Sequence, residues 1–188
     1  MADETSLQHA VEVLKSGGAV IFPTDTVFGL GVSVGHAASP QLLYDLKHRD
    51  ASKPIAWLVG SPTDLDEYGV DVPDLAHQLV GRHWPGPLTV VIRASHRVPK
   101  AFASAQGTIG LRMPNDPVAR ELIARVGFPL AATSANASGM PAAGSAAQID
   151  PALAAEVGCV VEGGLSASGV ASTIVDCTGP EPRILRQG

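Results

Sequence analysis

The chain has 188 residues and a formal net charge of −5, and its residues are 45% hydrophobic but only 4% aromatic. This length suits one domain that folds without disulfides or a structural metal, and the acidic total argues against broad, charge-driven binding to nucleic acid. No apolar run approaches the 18 residues of a membrane span, and the polar, acidic residues 1–6 predict no secretory signal. We therefore expect a cytoplasmic protein with no membrane partner and a single domain over residues 1–188, structured from about residue 7.

Helical and extended patterns alternate along the whole chain. In chain order, the predicted elements are a helix over residues 7–14, a strand over 19–22, a helix over 40–47, a strand over 55–59, helical segments opening at 61–62 and 71–74, strands over 88–92 and 108–111, a helix over 116–127, a strand over 129–132, a short helix at 150–151, and strands over 159–161, 173–175 and 184–185. This interleaving predicts an α/β or α+β fold with a mixed sheet.

The common nucleotide-binding and metal-binding motifs are missing from the sequence. It contains no P-loop, and its six histidines show no metal-ligand spacing. The glycine run over residues 29–35 is one residue too long for a dinucleotide fingerprint and follows a loop, so we reject that motif. Cys159 and Cys177 are interpreted as small core hydrophobes on strands, with a disulfide or a catalytic thiol as the alternatives.

Three cations cluster where a predicted helix gives way to a strand. Lys47 and Arg49 close the helix, and Lys53 precedes the strand over residues 55–59. Cations at a helix C-terminus commonly do no more than offset the negative end of its dipole. Three cations in seven residues also suit a polyphosphate, because Arg grips oxygens bidentately and Lys acts as a point charge. The residues alone leave both interpretations open.

Charge is also uneven over longer stretches. Residues 82–125 carry seven cations and two acids, whereas residues 61–75 carry five acids and no cation. One interpretation is a pair of solvated faces of opposite sign. The other is an electropositive cavity that binds an anionic ligand.

Short polar side chains follow two of the predicted buried strands. Thr24, Asp25 and Thr26 come after the first strand, and Ser134 and Asn136 follow the strand over 129–132. Such residues either bond the backbone of a turn or bind a ligand where α/β proteins carry their sites. Arg112 ends an apolar strand, where it is costly unless it pairs with an anion, so we predict a carboxylate or phosphate partner.

Four motifs in order resemble the YrdC family of threonylcarbamoyl-AMP synthases. They are PTDTVFGL over residues 23–30, Lys47-His48-Arg49, WPGPLT over residues 84–89 and Ser134-Ala135-Asn136, within a similarity that covers residues 18–188. The resemblance implies an α/β open twisted mixed sheet with flanking helices and a large, concave, electropositive cavity.

The same resemblance implies an activity. The expected substrates are L-threonine, bicarbonate and ATP, with Mg2+ carried by ATP, and the products are threonylcarbamoyl-AMP and pyrophosphate. Downstream proteins are expected to transfer the threonylcarbamoyl group to tRNA next to the anticodon, and weak binding of tRNA or other RNA stays open.

The resemblance also assigns residues to roles. Those expected in catalysis are Lys47, Arg49, Ser134 and Asn136. Those expected to bind ATP are Lys47, Arg49, Lys53, Thr108, Ser134, Asn136 and Arg186. Those expected to bind threonine are Thr26, Arg112, Ala132 and Ser172. No metal ligand is expected, and Lys47→Ala or Arg49→Ala is expected to abolish turnover while leaving the fold intact.

The sequence departs from the family pattern at single positions. Phe28 stands where the family usually has Tyr, Leu58 where some members have His, Lys53 where some have Asn, and Ala142 where some have Ser. The chain resembles the short form without the extra C-terminal domain of longer relatives.

Three other functions fit parts of the same pattern. A non-catalytic RNA-binding factor in ribosome or tRNA maturation would use the basic stretch over residues 82–125. A Ser-Lys hydrolase would use Ser134 with Lys47. A different carbamoyl or aminoacyl adenylate synthase would share the fold and differ in substrate.

Overall fold

The computed structural model describes residues 2–163 and 168–188, so Met1 and residues 164–167 of the predicted domain lie outside the described residues. The helices are α1 (Glu4–Lys15), α2 (Gln41–Lys47), α3 (Asp64–Tyr68), α4 (Asp74–His83), α5 (Pro117–Val126) and α6 (Pro151–Glu156). The strands are β1 (Val20–Phe22), β2 (Gly29–Ser33), β3 (Ala56–Leu58), β4 (Leu88–Arg93), β5 (Thr108–Arg112), β6 (Leu130–Ser134), β7 (Cys159–Val160), β8 (Thr173–Asp176) and β9 (Arg183–Arg186).

Helix α5 shows why the sequence predicted helix ends well. The Asp116 side chain accepts hydrogen bonds from the backbone N–H groups of Val118 and Ala119 at 2.9 and 3.0 Å. Pro117 occupies the first turn, where its missing N–H costs nothing. Gly127 ends the helix with a φ of +79°, a left-handed conformation that glycine adopts without strain. Within residues 2–163 and 168–188, no helix is long and apolar enough to cross a membrane.

The nine strands of the described residues form one sheet in the order β7-β1-β2-β6-β3-β5-β4-β8-β9. The pairs β1–β7, β3–β5 and β4–β8 are parallel, and the other neighbours are antiparallel. The predicted mixed sheet with flanking helices is confirmed. Its order could not be derived locally, because most neighbouring strands are distant in sequence.

Strand β2 is absent from the predicted elements. All five of its residues are buried, so the sequence shows no alternation of apolar and polar side chains, and glycine is a poor strand former. Gly31 is nevertheless required, because a Cβ there would lie 3.0 Å from Phe22 Cε1 and 3.1 Å from the carbonyl oxygen of Ala131. The run forms a strand, which agrees with rejecting a dinucleotide-binding turn.

One face of the sheet changes character along its strands. Near α1 and α5 it carries Phe22, Leu58 and Leu130, which pack with those helices into a core cluster. Two residues away from Leu58 on β3 and from Leu130 on β6, the same face carries the smaller side chains of Ala56 and Ala132, which are register partners. The small side chains leave this end of the face concave, and the candidate site lies there.

Both cysteines are free thiols, as interpreted from the sequence. Cys177 is buried in the larger core cluster, and Cys159 is half-buried on β7. Burial raises the pKa of each thiol, so neither has the thiolate character of a catalytic cysteine at neutral pH.

Candidate functional site

A cavity of about 210 Å³ opens on the concave end of the sheet. The predicted site residues that line it are Thr26, Arg49, Arg112, Ala132, Ser134, Ser172 and Arg186. All four residues expected to bind threonine are therefore together. The predicted residues outside its lining are Lys47, Lys53, Thr108 and Asn136.

Lys47 is buried, with a relative exposure of 2%. Its Nζ donates hydrogen bonds to the backbone carbonyls of Ser134 and Asn136 and, at 3.1 Å, to Oδ1 of Asn136. Three ammonium N–H groups therefore meet three oxygen acceptors. Burial, with a smaller contribution from the Arg49 guanidinium, lowers the pKa of Lys47 to about 8, so the ammonium still prevails at pH 7. In this arrangement Lys47 holds the chain from Ser134 to Asn136 in place.

The Ser-Ala-Asn segment begins on the strand instead of after it. Ser134 is the last residue of β6, two residues beyond the predicted end of the strand, and pairs with Gly29 of β2. The Asn136 side chain accepts from Lys47 through Oδ1 and donates through Nδ2 to the carbonyls of Ala137 and Met140. The hydrogen bonds from Lys47 reach the carbonyl of Ser134, not its hydroxyl, which counts against the Ser-Lys hydrolase.

Arg49 reaches the cavity from the same turn. Its Nη1 donates to Thr133 Oγ1 at 3.1 Å, and Nη2 donates to the carbonyl of Pro54 at 3.3 Å. His48, which separates it from Lys47, has φ 48° and ψ 43° and ends α2 in the left-handed region. This backbone reversal directs both flanking cations toward β6, which explains their spacing by one residue.

Replacing His48 tests that conformation. A non-glycine residue in the left-handed region costs roughly 1–2 kcal/mol, and the exposed imidazole offers little packing to lose. We expect His48→Gly to raise the free energy of unfolding by up to about 1 kcal/mol and β-branched His48→Val to lower it by about 1–2 kcal/mol, measured by urea denaturation. His48→Ala is the control and should fall between them. Equal stability of the glycine and valine variants would contradict the conformational argument.

Arg112 lies at the centre of a buried polar network. Nε donates to the carbonyl of Gly86 at 3.1 Å, Nη1 donates to Thr26 Oγ1 at 2.8 Å, and Nη2 donates to the carboxylate of Asp25. The side chains of Arg112 and Asp25 are only 7% and 13% exposed. Thr26 is linked onward to Thr24 at 3.0 Å, and Thr24 donates to the carbonyl of Val27. The anionic partner predicted for Arg112 therefore exists within the chain, as Asp25.

A second network joins β4, β8 and β9. Thr89 Oγ1 lies 2.9 Å from Ser172 Oγ. Arg186 donates from Nη2 to the same Ser172 Oγ at 3.1 Å and from Nε to the Ser172 carbonyl at 2.9 Å. Thr89, Ser172 and Arg186 all line the cavity.

The cations of the site act on one another. Burial is the main cause that lowers the pKa of Arg186, and the Arg49 guanidinium adds to it. Burial likewise lowers the pKa of Arg112; Asp25 opposes this shift and Arg186 adds to it. Like charges brought this close favour an anionic ligand, which would screen them from one another.

Two predicted ATP contacts lie apart from the cavity lining. Lys53 is exposed, and its backbone carbonyl accepts a hydrogen bond from the Tyr44 hydroxyl at 3.0 Å. Thr108 begins β5, about 13 Å along the strand from Arg112. Its hydroxyl lies 2.7 Å from that of Ser104. Their roles toward ATP stay predictions.

The departures from the family pattern fall in three environments, and Lys53 is the exposed one. Phe28 is buried in the larger core cluster, where its ring packs among apolar side chains and needs no hydroxyl. Leu58 and Ala142 line the cavity, so these two positions alter its wall directly.

Sequence reasoning overlooked three polar residues of the site. In the sequence, Asp25 stands out only as part of a polar turn, Thr89 only as the last residue of the WPGPLT motif, and Thr133 not at all. Each acts through a partner far away in the chain, 83 to 87 residues from it. Their local signal is only that each lies at or near the end of a strand.

The open mixed sheet with flanking helices defines an α/β protein, and three arginines, Arg49, Arg112 and Arg186, line its concave end. The family model Sua5/YciO/YrdC, described as telomere recombination, matches residues 12–188. The threonylcarbamoyl-AMP synthase of Vibrio cholerae is 34% identical over 190 residues, with 100% of both chains covered. That of Pyrococcus abyssi is 34% identical over 186 residues, which cover 99% of this chain and 55% of the relative.

The crystal structure of P. abyssi Sua5 complexed with L-threonine superposes with a TM-score of 0.89 at 34% identity, covering 98% of this chain and 54% of that one. The chain belongs to the Sua5/YciO/YrdC family. It spans about half the length of the Pyrococcus relative and the whole length of the Vibrio relative. The resemblance seen in the sequence and the predicted α/β fold with an open mixed sheet are both confirmed, and the electropositive character of the cavity stays a prediction.

Proposed function

We propose that this protein is a threonylcarbamoyl-AMP synthase acting in the cytoplasm. L-threonine, bicarbonate and ATP would give threonylcarbamoyl-AMP, pyrophosphate and water. The product would then serve proteins that transfer the threonylcarbamoyl group to tRNA. The observation that carries the proposal is one cavity lined by Arg49, Arg112 and Arg186 together with every residue expected to bind threonine. The names of the relatives and the threonine complex of P. abyssi Sua5 support it.

Threonine would bind beside Arg112 and Ser172. A guanidinium has five N–H groups, and Arg112 uses three of them on Gly86, Thr26 and Asp25. Two remain for the carboxylate of threonine. Asp25 fixes the plane of the guanidinium, so the carboxylate would meet a preorganised donor. Small Ala132 would leave room for the rest of the amino acid.

ATP would bind toward Arg49 and Arg186. Their mutual repulsion would be relieved by the triphosphate, and their charges would stabilise negative charge that develops on the leaving pyrophosphate. Lys47 would act indirectly, by holding the Ser134 to Asn136 segment in position to contact the nucleotide. The described residues hold no group of three or more His, Cys, Asp or Glu side chains suited to a metal ion. We infer that Mg2+ would arrive with ATP, bound to its phosphates.

The chemistry needs positioning and charge neutralisation, without a covalent enzyme intermediate. Bicarbonate would give CO2 and hydroxide. The uncharged amine of threonine would add to the CO2, forming the C–N bond of a carbamate, and the proton that the amine releases would join the hydroxide as water. A carbamate oxygen would then attack the α-phosphorus, forming a P–O bond as the bond to pyrophosphate breaks. In-line geometry between the two substrates is therefore the main contribution asked of the protein.

The test is pyrophosphate release from ATP with threonine and bicarbonate added separately and together. We expect release only when both are present, with a product of the mass of threonylcarbamoyl-AMP. Release indifferent to threonine would favour a different adenylate synthase. Absence of release, with RNA affinity that falls steeply with salt, would favour the RNA-binding factor.

A further inference from the structure

The second polar network connects the two halves of the proposed site. Ile174 of β8 is the register partner of Thr89 on β4 and of Arg186 on β9, so these side chains flank one strand from both sides. Ser172 lies two residues before Ile174. Its hydroxyl is hydrogen-bonded to both the Thr89 hydroxyl and Nη2 of Arg186. Thr89 and Ser172 are only 3% and 5% exposed, so water competes poorly for their hydroxyls.

Proton counting shows what this network can do. Ser172 Oγ accepts from Arg186 Nη2, and its contact with Thr89 uses one of the two hydroxyl protons. If Thr89 donates to Ser172, the Ser172 proton is left to donate to a ligand in the cavity. Within residues 2–163 and 168–188, Ser172 is the hydrogen-bond partner found for the Thr89 hydroxyl. The 2.9 Å contact allows either hydroxyl to donate, and we take Thr89 as the donor, which turns the Ser172 proton toward the cavity.

We propose that Thr89 is a positioning residue that, through Ser172, couples the threonine and ATP subsites so that threonine binding tightens ATP binding. The inference rests on the proposed function, since it takes Ser172 toward threonine and Arg186 toward ATP. A hydroxyl that donates to a ligand becomes a better acceptor. When Ser172 donates to threonine, its oxygen holds Arg186 more firmly, and ordering Arg186 beforehand lowers the cost of binding the phosphates.

The experiment measures the dissociation constant of an unreactive ATP analogue with and without saturating L-threonine, by calorimetry on the whole protein. The analogue carries a methylene group between its α and β phosphorus atoms, so the bond that would break cannot. For the wild type we expect threonine to lower the dissociation constant about fivefold. For Thr89→Val, which keeps shape and removes the hydroxyl, the ratio should fall close to one. Thr89→Ser, which restores the hydroxyl, should recover it.

A merely structural role for Thr89 predicts something else: Thr89→Val would melt at a lower temperature yet keep the wild-type ratio. That result, or a wild-type ratio of one, would overturn the coupling. Ser172→Ala provides a second variant, because removing the shared oxygen should also bring the ratio close to one. A wild type that binds neither threonine nor the analogue would overturn the proposed function as well. Binding of both without coupling would overturn this inference alone.

Discussion

Arg112→Leu is expected to lose both stability and activity. The Asp25 side chain is only 13% exposed, and removing the guanidinium takes away its main counter-charge. Breaking a buried pair in this way costs about 3–5 kcal/mol. It also removes donors from Thr26 Oγ1 and the Gly86 carbonyl. We expect urea denaturation to show a loss in that range, and pyrophosphate release to fall at least about a hundredfold.

Two further variants separate the causes. Replacing both members of the pair, Arg112→Leu with Asp25→Leu, removes the stranded carboxylate and should recover part of the stability while activity stays low. Arg125→Leu is the matched surface control. Arg125 pairs with Glu4 and Glu121, but these acids are 71% and 47% exposed, so its loss should cost far less. A double variant as unstable as Arg112→Leu alone would refute the stranded-charge explanation.

Lys47→Met is the second change with a large expected effect. From the sequence alone we expect alanine at this position to spare the fold, and the buried contacts revise that expectation. The substitution leaves three oxygens of Ser134 and Asn136 without their donor, so we expect a loss of about 3 kcal/mol or more. Displacement of the segment should also lower turnover at least about a hundredfold.

The titration of Lys47 gives this prediction a pH signature. Its folded pKa of about 8 lies below the ordinary value of 10.5, so between these values the unfolded chain binds the extra proton. Stability of the wild type relative to Lys47→Met should therefore rise with pH across that window. Activity should instead fall above about pH 8, because a neutral amine has fewer donors for its three acceptors. Parallel denaturation and rate measurements from pH 7 to 10.5 would show slopes of opposite sign; parallel slopes would refute the assignment.

The parts of the fold that follow local rules were predictable. α1 is predictable from apolar residues at helical spacing followed by Gly17 and Gly18, and α5 from Asp116-Pro117 at its start and Gly127 at its end. Most strands are predictable as short apolar runs between breakers. β2 is missing from the predicted elements because its buried residues do not alternate; it is a strand because it pairs with β1 and β6, and no local pattern shows that pairing.

The site shows the same division between local and distant causes. The sequence located the Lys-x-Arg and Ser-x-Asn segments but could not show that Lys47 bonds to the backbone of the other segment, 87 to 89 residues away. A lysine that binds a phosphate and one that secures a loop look alike in sequence. Whether the lysine side chain is buried decides which of the two contacts it makes, and its burial depends on the order of the strands in the sheet.

Sheet order also sets when the chain can fold during synthesis. β3 lies between β6 and β5, both of which are made after it, and β1 meets its outer neighbour β7 only near residue 160. β8 and β9, which lie beside Ser172 and carry Arg186, emerge last. Because non-local pairing is slow, the nascent chain exposes unpaired strand edges until β7, β8 and β9 have been translated. Chaperone capture and aggregation compete with folding throughout that interval, so we expect cellular yield to depend on the segment from β7 to β9.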